Sequence, residues 1–245
     1  VCAALLPRAA ALSAAAAVTM DADTGETLFA ENADSRLPMA STTKIMTALV
    51  ALGEGDLDRV YTVKKQYAAV EGSSMYLEEG ERLTLRDTLY GLLLSSGNDA
   101  AAAVAGECGG ERAFVDKMNA KARELGLTDT RFENPSGLPS DGHYTTAREL
   151  AKITAAALRD PVFRDIVSTK TCTAAGRTLV NHNRLLSLYE DAIGVKTGFT
   201  RAAGRCLVSA AERNGRTVIA VTLNDPDDWN DHIALLDDAF SRYSE

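Results

Sequence analysis

Residues 14–22 form a nearly unbroken run of Ala, Val and Met ending near Asp21, and a second apolar stretch, 26–30, follows Asp23-Thr24-Gly25. Two short apolar segments flanking a glycine turn predict a hairpin. From Ser41 the period changes: Ile45, Met46, Leu49 and Leu52 recur at helical spacing, with a hydroxyl residue at the start and Gly53 at the end. This pattern predicts a helix opened by Ser41. Thr84 and Asp87 resemble a helix start before Leu89 to Leu94, 98–107 and 111–125 read as further helices, and Thr146 with Glu149 makes a capping-box pattern ahead of a helix through Leu158. The middle third is therefore expected to be helical.

Strand character returns at 166–173, around Leu179 and at 193–197. Segments 205–213 and 216–223 are joined by Asn214-Gly215, the strongest short hairpin signal. A closing helix over 228–243 carries Ile233, Leu236 and Phe240 on one face. The order of strands, a long helical insertion over roughly 65–165, strands and a last helix predicts an α+β fold with an antiparallel sheet, with 14–245 as a single domain.

The 245 residues, 46% hydrophobic and 24% charged, suffice for a sizeable core and exclude disorder. A formal net charge of −8 opposes broad attraction to nucleic acid or anionic lipid. Residues 1–13 read either as the remnant of a secretory signal peptide, with Ala9-Ala10-Ala11 as a small-residue cleavage region, or as a lead-in to a buried first strand. Cys2, Cys108, Cys172 and Cys206 lack the close pairing of a zinc or redox site, so buried free thiols are expected, with a disulfide only in an oxidising compartment, and no metal.

Three short strings fall at telling places: Ser41-Thr42-Thr43-Lys44 at a helix start, Ser96-Gly97-Asn98 between helices, and Lys196-Thr197-Gly198 at a strand end. Alone each is weak, since a Ser-x-x-Lys arises about once by chance in a chain of this length. A capped helix, an interhelical turn and an ordinary strand end are their bland readings. Together they match a chemical need. A serine hydroxyl requires a base within hydrogen-bond reach, and a residue three positions along a helix lies on the same face, which is where Lys44 stands relative to Ser41. Burial and a second cation, for which Lys196 is a candidate, favour the neutral amine such a base needs. The helix start also offers the Ser41 N–H to a developing oxyanion. His143, His182 and His232 sit in no recognisable triad motif, and a Gly-x-Ser-x-Gly elbow is absent.

In these motifs the chain resembles the penicillin-recognising serine D-alanyl-D-alanine carboxypeptidases, the low-molecular-mass penicillin-binding proteins. The likeness runs from about Ala14 to Tyr243 and includes 21–25, 41–49, Gly72-Ser73-Ser74, 92–101, 134–138 and His143-Tyr144. It implies a β-lactamase/transpeptidase-like fold, an antiparallel sheet flanked by helices plus an all-helical subdomain, with the active site between them. It further implies that Ser41 is acylated by peptidoglycan stem peptides ending in D-Ala-D-Ala, releasing the last residue, and equally by β-lactams. Lys44 would be the general base, Ser96 a proton relay toward the leaving amine, and Asn98 a partner of substrate or Lys44. Lys196, Thr197, Gly198, Phe199 and Thr200 would bind substrate, Phe199 supplying the second oxyanion N–H.

The resemblance requires no cofactor or metal, and no nucleic acid. It places the protein outside the cytoplasm, in a bacterial cell envelope, secreted or membrane-anchored in full length. Some relatives carry an arginine near the terminal carboxylate between the last strand and last helix; 224–232 has none, leaving Lys196, Thr197 and Thr200 for that task, while Arg184 either faces the cleft or lies on the surface. Many members continue into a β-rich stalk and an amphipathic anchor, whereas the sequence stops at Glu245 just after the closing helix, so a catalytic domain or a short soluble member is the expectation. The Glu-x-x-Leu-Asn string of a class A β-lactamase is absent. A cross-link endopeptidase of the same family and a non-enzymatic penicillin or peptidoglycan sensor share the motifs and remain alternatives.

Overall fold

Alternation along the central strands divides the core in two. A computed structural model describes residues 12–243; Cys2 and most of the segment read as a signal-peptide remnant lie outside the described residues. Strands β1 (Ala16–Asp21) and β2 (Thr27–Glu31) form the expected hairpin around Gly25, whose φ of 75° suits glycine. Three later strands, β7 (Ala192–Thr200), β8 (Gly204–Arg213) and β9 (Arg216–Leu223), complete an antiparallel five-stranded sheet of order β2-β1-β9-β8-β7. Asn214 and Gly215, at φ 52° and 76°, make the tight β8–β9 turn.

Ala16, Val18, Met20, Val208, Ile219 and Val221 point into the larger core, whereas Ala17, Leu207, Ala211, Val218 and Ala220 point the opposite way. Both faces are covered, so these strands read as continuous apolar runs. The outer face is closed by α9 (Asp228–Ser241) through Leu235, Leu236, Ala239 and Phe240. On the inner face lie α1 (Lys44–Leu52), α3 (Leu85–Leu93), α4 (Asn98–Glu107), α5 (Glu111–Glu124) and α6 (Ala147–Leu158), of which α6 packs directly on β1 and β9.

The antiparallel sheet, the helical middle and the closing helix agree with the sequence reading, with four local differences. The middle region also holds a short helix α2 (Lys65–Ala68) and a three-residue ribbon, β3 (Val60–Thr62) with β4 (Arg82–Thr84). Ser41 does not open an α-helix: Ala40–Thr43 is a 3-10 turn and α1 starts at Lys44 without a side-chain cap. Residues 166–168, expected as strand, end a helix α7 (Pro161–Ser168), because Asp160 caps the Val162 and Phe163 N–H groups and Pro161 takes the first helical position. Only β5 (Thr171–Ala174) is extended there; it pairs with β6 (Arg177–Val180), followed by a single turn, α8 (Leu185–Leu188). At Thr146 half the capping box forms: Thr146 accepts the Glu149 N–H, but the Glu149 carboxylate turns to the N–H groups of Thr128 and Asp129.

Candidate active site

Ser41 lies where the 3-10 turn meets β7, the free edge of the sheet. Two glycines permit that contact. A Cβ on Gly198 would stand 3.0 Å from the Ser41 nitrogen and 3.1 Å from that of Thr42, and one on Gly137 would overlap the Ala40 carbonyl. Ala40 is itself at φ 48°, so the residue before the serine is held in a left-handed conformation that few non-glycine residues adopt.

Lys44, wholly buried, aims its amine at three oxygens: Ser41 Oγ at 2.9 Å, Asn98 Oδ1 at 2.8 Å and the Ser136 carbonyl at 2.7 Å. The Asn98 amide orientation is fixed by its other end, since Nδ2 donates to the Glu71 carbonyl at 2.7 Å. Burial first, then the neighbouring Lys196 charge, push the Lys44 pKa well below the ordinary lysine value, opposed by Asp99. A neutral amine has two protons and one lone pair. Asn98 Oδ1 and the Ser136 carbonyl can only accept, so they take both protons and the lone pair is left facing the Ser41 hydroxyl. That is the arrangement for withdrawing the serine proton.

The surrounding loops serve this amine. Asn134 Oδ1 accepts the N–H groups of Ser136 and Gly137, folding 134–138 so that the Ser136 carbonyl reaches Lys44. Asp99 accepts the N–H groups of Met75 and Leu77 and the Ser74 hydroxyl, tying loop 72–77 to the start of α4. Gly97 must be small because a Cβ there would meet Asp99 Oδ1 at 2.6 Å. Ser96, at φ 59° and nearly buried, borders the same cavity as Ser41.

That cavity, about 300 Å³, is bordered by Ser41, Ser96, Thr197, Gly198 and Phe199. Lys196 does not border it: the side chain is 1% exposed and donates to the Thr197 carbonyl at 2.9 Å, and burial lowers its pKa to about 7. Phe199 is exposed. Thr200 stands apart: its hydroxyl accepts the Ala203 N–H at 3.0 Å and it borders the neighbouring apolar cavity beside Pro38 and Leu138.

The histidines form no triad. His143 Nδ1 accepts the Glu133 N–H, which puts its proton on Nε2 against Thr43 Oγ1, and burial lowers its pKa to about 4. His232 is wholly buried between Ser209 and Thr222, with its pKa lowered to about 3. His182 borders the cavity, its pKa lowered by desolvation and by Lys196, but makes no hydrogen bond to Ser41 among the described residues. Cys108 and Cys206 are buried free thiols and Cys172 is a half-buried one; no group among the described residues could hold a metal ion.

Sequence reasoning missed four participants. The Ser136 carbonyl carries no side-chain signal. Arg205, Asp228 and Trp229 also border the cavity, and only the β7–β8 register, in which Arg205 stands opposite Phe199, brings that arginine to the site.

Residues 4–227 match the sequence pattern of the D-alanyl-D-alanine carboxypeptidase family. The chain is 39% identical to the D-alanyl-D-alanine carboxypeptidase DacF of Bacillus subtilis, over 94% of this chain and 63% of that protein. It is 40% identical to a D-alanyl-D-alanine carboxypeptidase of a Streptomyces species, over 86% of this chain and 81% of the relative. The crystal structure of the Streptomyces K15 DD-transpeptidase superposes with a TM-score of 0.90 at 37% identity, covering 96% of this chain and 99% of that one.

Proposed function

Since this chain belongs to the D-alanyl-D-alanine carboxypeptidase family, we propose that it removes the C-terminal D-alanine of peptidoglycan stem peptides through an acyl-enzyme on Ser41. The observation that carries the assignment of roles is the Lys44 amine, whose two protons are committed to carbonyl oxygens while its third contact is Ser41 Oγ at 2.9 Å.

In acylation the Ser41 hydroxyl passes its proton to Lys44 Nζ as Oγ attacks the carbonyl carbon between the two D-alanines. The tetrahedral oxyanion is met by the N–H groups of Ser41 and Phe199, one from the 3-10 turn and one from the sheet edge that Gly198 allows so close. Ser96 relays the proton from Lys44 to the departing nitrogen, the C–N bond breaks, and D-alanine leaves. Water then attacks the ester, giving a proton to Lys44, and the Ser41 oxygen is expelled and reprotonated. Substrate adds as an extended segment along the free edge of β7, and Thr197 and Asn98 hold its polar groups. A β-lactam presents a comparable amide and carboxylate and acylates the same oxygen.

The substrate lies outside the cytoplasmic membrane, so the protein works in the cell envelope; no helix among the described residues is long and apolar enough to cross a membrane. The test is D-alanine release from diacetyl-lysyl-D-alanyl-D-alanine, beside fluorescent-penicillin labelling, with Ser41→Ala in parallel. Release and labelling that both disappear in the variant are expected. Labelling without release favours a sensor or a cross-link endopeptidase, and neither signal from folded parent protein overturns the assignment.

A further inference from the structure

A carboxypeptidase substrate ends in a free carboxylate, and that charge needs a partner in the cavity. Lys196 is 1% exposed, is not among the residues that border the cavity, and donates from its amine to the Thr197 carbonyl. Among the described residues bordering the cavity, Arg205 is the one lysine or arginine. It projects from β8 opposite Phe199 of β7. Its guanidinium is held on two sides: Nη2 donates to Asp228 Oδ1 at 2.7 Å, and its carbon lies 5.7 Å from the centre of the Trp229 ring. Asp228 is 4% exposed and Arg205 43% exposed at the side chain. The ion pair therefore has a buried anchor and an accessible cation. Nη2 is the only guanidinium nitrogen engaged among the described residues, and it spends one of its two protons on Asp228, so Nη1, Nε and the second Nη2 proton remain for contacts with a carboxylate, the forked one pairing that second Nη2 proton with Nη1 or Nε. The Arg184 guanidinium carbon lies 5.8 Å from the centre of the same ring, but Arg184 borders a separate groove, beside Asn183 and Leu188, and not this cavity.

We propose that Arg205, positioned by Asp228 and Trp229, binds the terminal carboxylate of the departing D-alanine and makes the enzyme selective for peptides with a free C-terminus. This rests on the carboxypeptidase reading and deepens it. Asn224 to His232, the segment before and into α9, contains no arginine; it contributes instead the carboxylate and indole that fix an arginine arriving from a neighbouring strand. Arg205 acts on the leaving group only, and the proton path through Lys44 and Ser96 is untouched by it.

The experiment compares kcat/KM for diacetyl-lysyl-D-alanyl-D-alanine with that for the same peptide ending in D-alaninamide, in the full chain and in Arg205→Gln, Arg205→Lys, Asp228→Asn and Arg184→Gln. The parent is expected to prefer the acid, and Arg205→Gln to shrink that preference by roughly 10- to 100-fold, the range of one charge-assisted contact. Arg205→Lys keeps charge without the fork and should fall between the two, and Asp228→Asn should lower the acid-to-amide ratio by loosening the guanidinium. Arg184→Gln should leave the ratio where it was. An unchanged ratio in Arg205→Gln, or a collapse in Arg184→Gln instead, overturns the proposal. If Arg205→Gln does not fold, the ratios of Arg205→Lys and Asp228→Asn decide, and parental values in both overturn it. Parent protein that releases nothing and binds no penicillin would instead sink the carboxypeptidase reading, a distinct outcome.

Discussion

Lys196→Met is expected to make the protein more stable while making it a worse catalyst. Lys196 is 1% exposed, and among the described residues its one hydrogen bond goes to the Thr197 carbonyl. Burial pulls its pKa from the ordinary 10.5 to about 7. Between those values the unfolded chain holds a proton that the folded chain releases, so stability climbs with pH across that window, and below pH 7 the penalty acts nearly in full. At about 1.4 kcal/mol per tenfold change, the penalty is on the order of 5 kcal/mol.

Methionine keeps most of the stem's volume and forfeits one hydrogen bond worth about 1 to 2 kcal/mol, leaving a gain of roughly 3 kcal/mol at pH 6.5, or about 6–12 °C in Tm for a chain of this size. By pH 8.5 the parent recovers about 2 kcal/mol of that difference. Stopping there avoids the buried thiols of Cys108 and Cys206, whose pKa values of about 11 destabilise the fold as pH rises past 9. Urea melts at pH 6.5 and 8.5 measure the gain, and penicillin labelling measures the loss of acylation, because Lys44 no longer has a neighbouring cation to keep its amine free. A variant no more stable than the parent at pH 6.5, or one whose advantage does not shrink at 8.5, would refute the reasoning.

Asn98→Asp places a carboxylate against Lys44 and the Glu71 carbonyl; the ammonium form is then favoured, so the acylation–pH profile should move to higher pH, read by stopped-time penicillin labelling. Gly198→Ala introduces a Cβ 3.0 Å from the Ser41 nitrogen, and a displacement of a few tenths of an ångström at the nucleophile should slow labelling by about 10- to 100-fold, whereas an unchanged rate would mean the strand is not that close. Asp160→Ala removes the cap on the Val162 and Phe163 N–H groups and should lower stability by about 1 kcal/mol in urea melts, with D-alanine release unaffected.

Much of this was legible in the chain. The hairpins at Gly25 and Asn214-Gly215 follow from turn chemistry local to a few residues, and the helical period from Ile45 onward fixes α1. Ser41 and Lys44 could be paired because three residues of helical chain bring side chains together. Residues 166–168 read as strand because β-branched Ile166 and Val167 suit one, while the deciding signal for a helix, Asp160-Pro161, lies outside that window. Ser41 reads as a cap because its hydroxyl heads the apolar period; in the structure that hydroxyl faces Lys44. Arg205 was invisible for a different reason, since only the pairing of β7 with β8 brings it beside Trp229, and pairing across a sheet is not written in local spacing.

The groups around Lys44 come from four stretches far apart in the chain: the turn at 40–44, the start of α4 at Asn98, the loop at 134–138 and the edge strand at 196–198. On the proposed mechanism none of them suffices alone, because all four must be in place for the Ser41 hydroxyl to give its proton to Lys44. Covalent capture by a penicillin therefore reports complete assembly. In a partly unfolded population the labelled fraction would then count native molecules: a destabilising change far from Ser41 is expected to lower the number of chains that react, and a change at Lys44, on the proposed mechanism, the rate at which every native chain reacts.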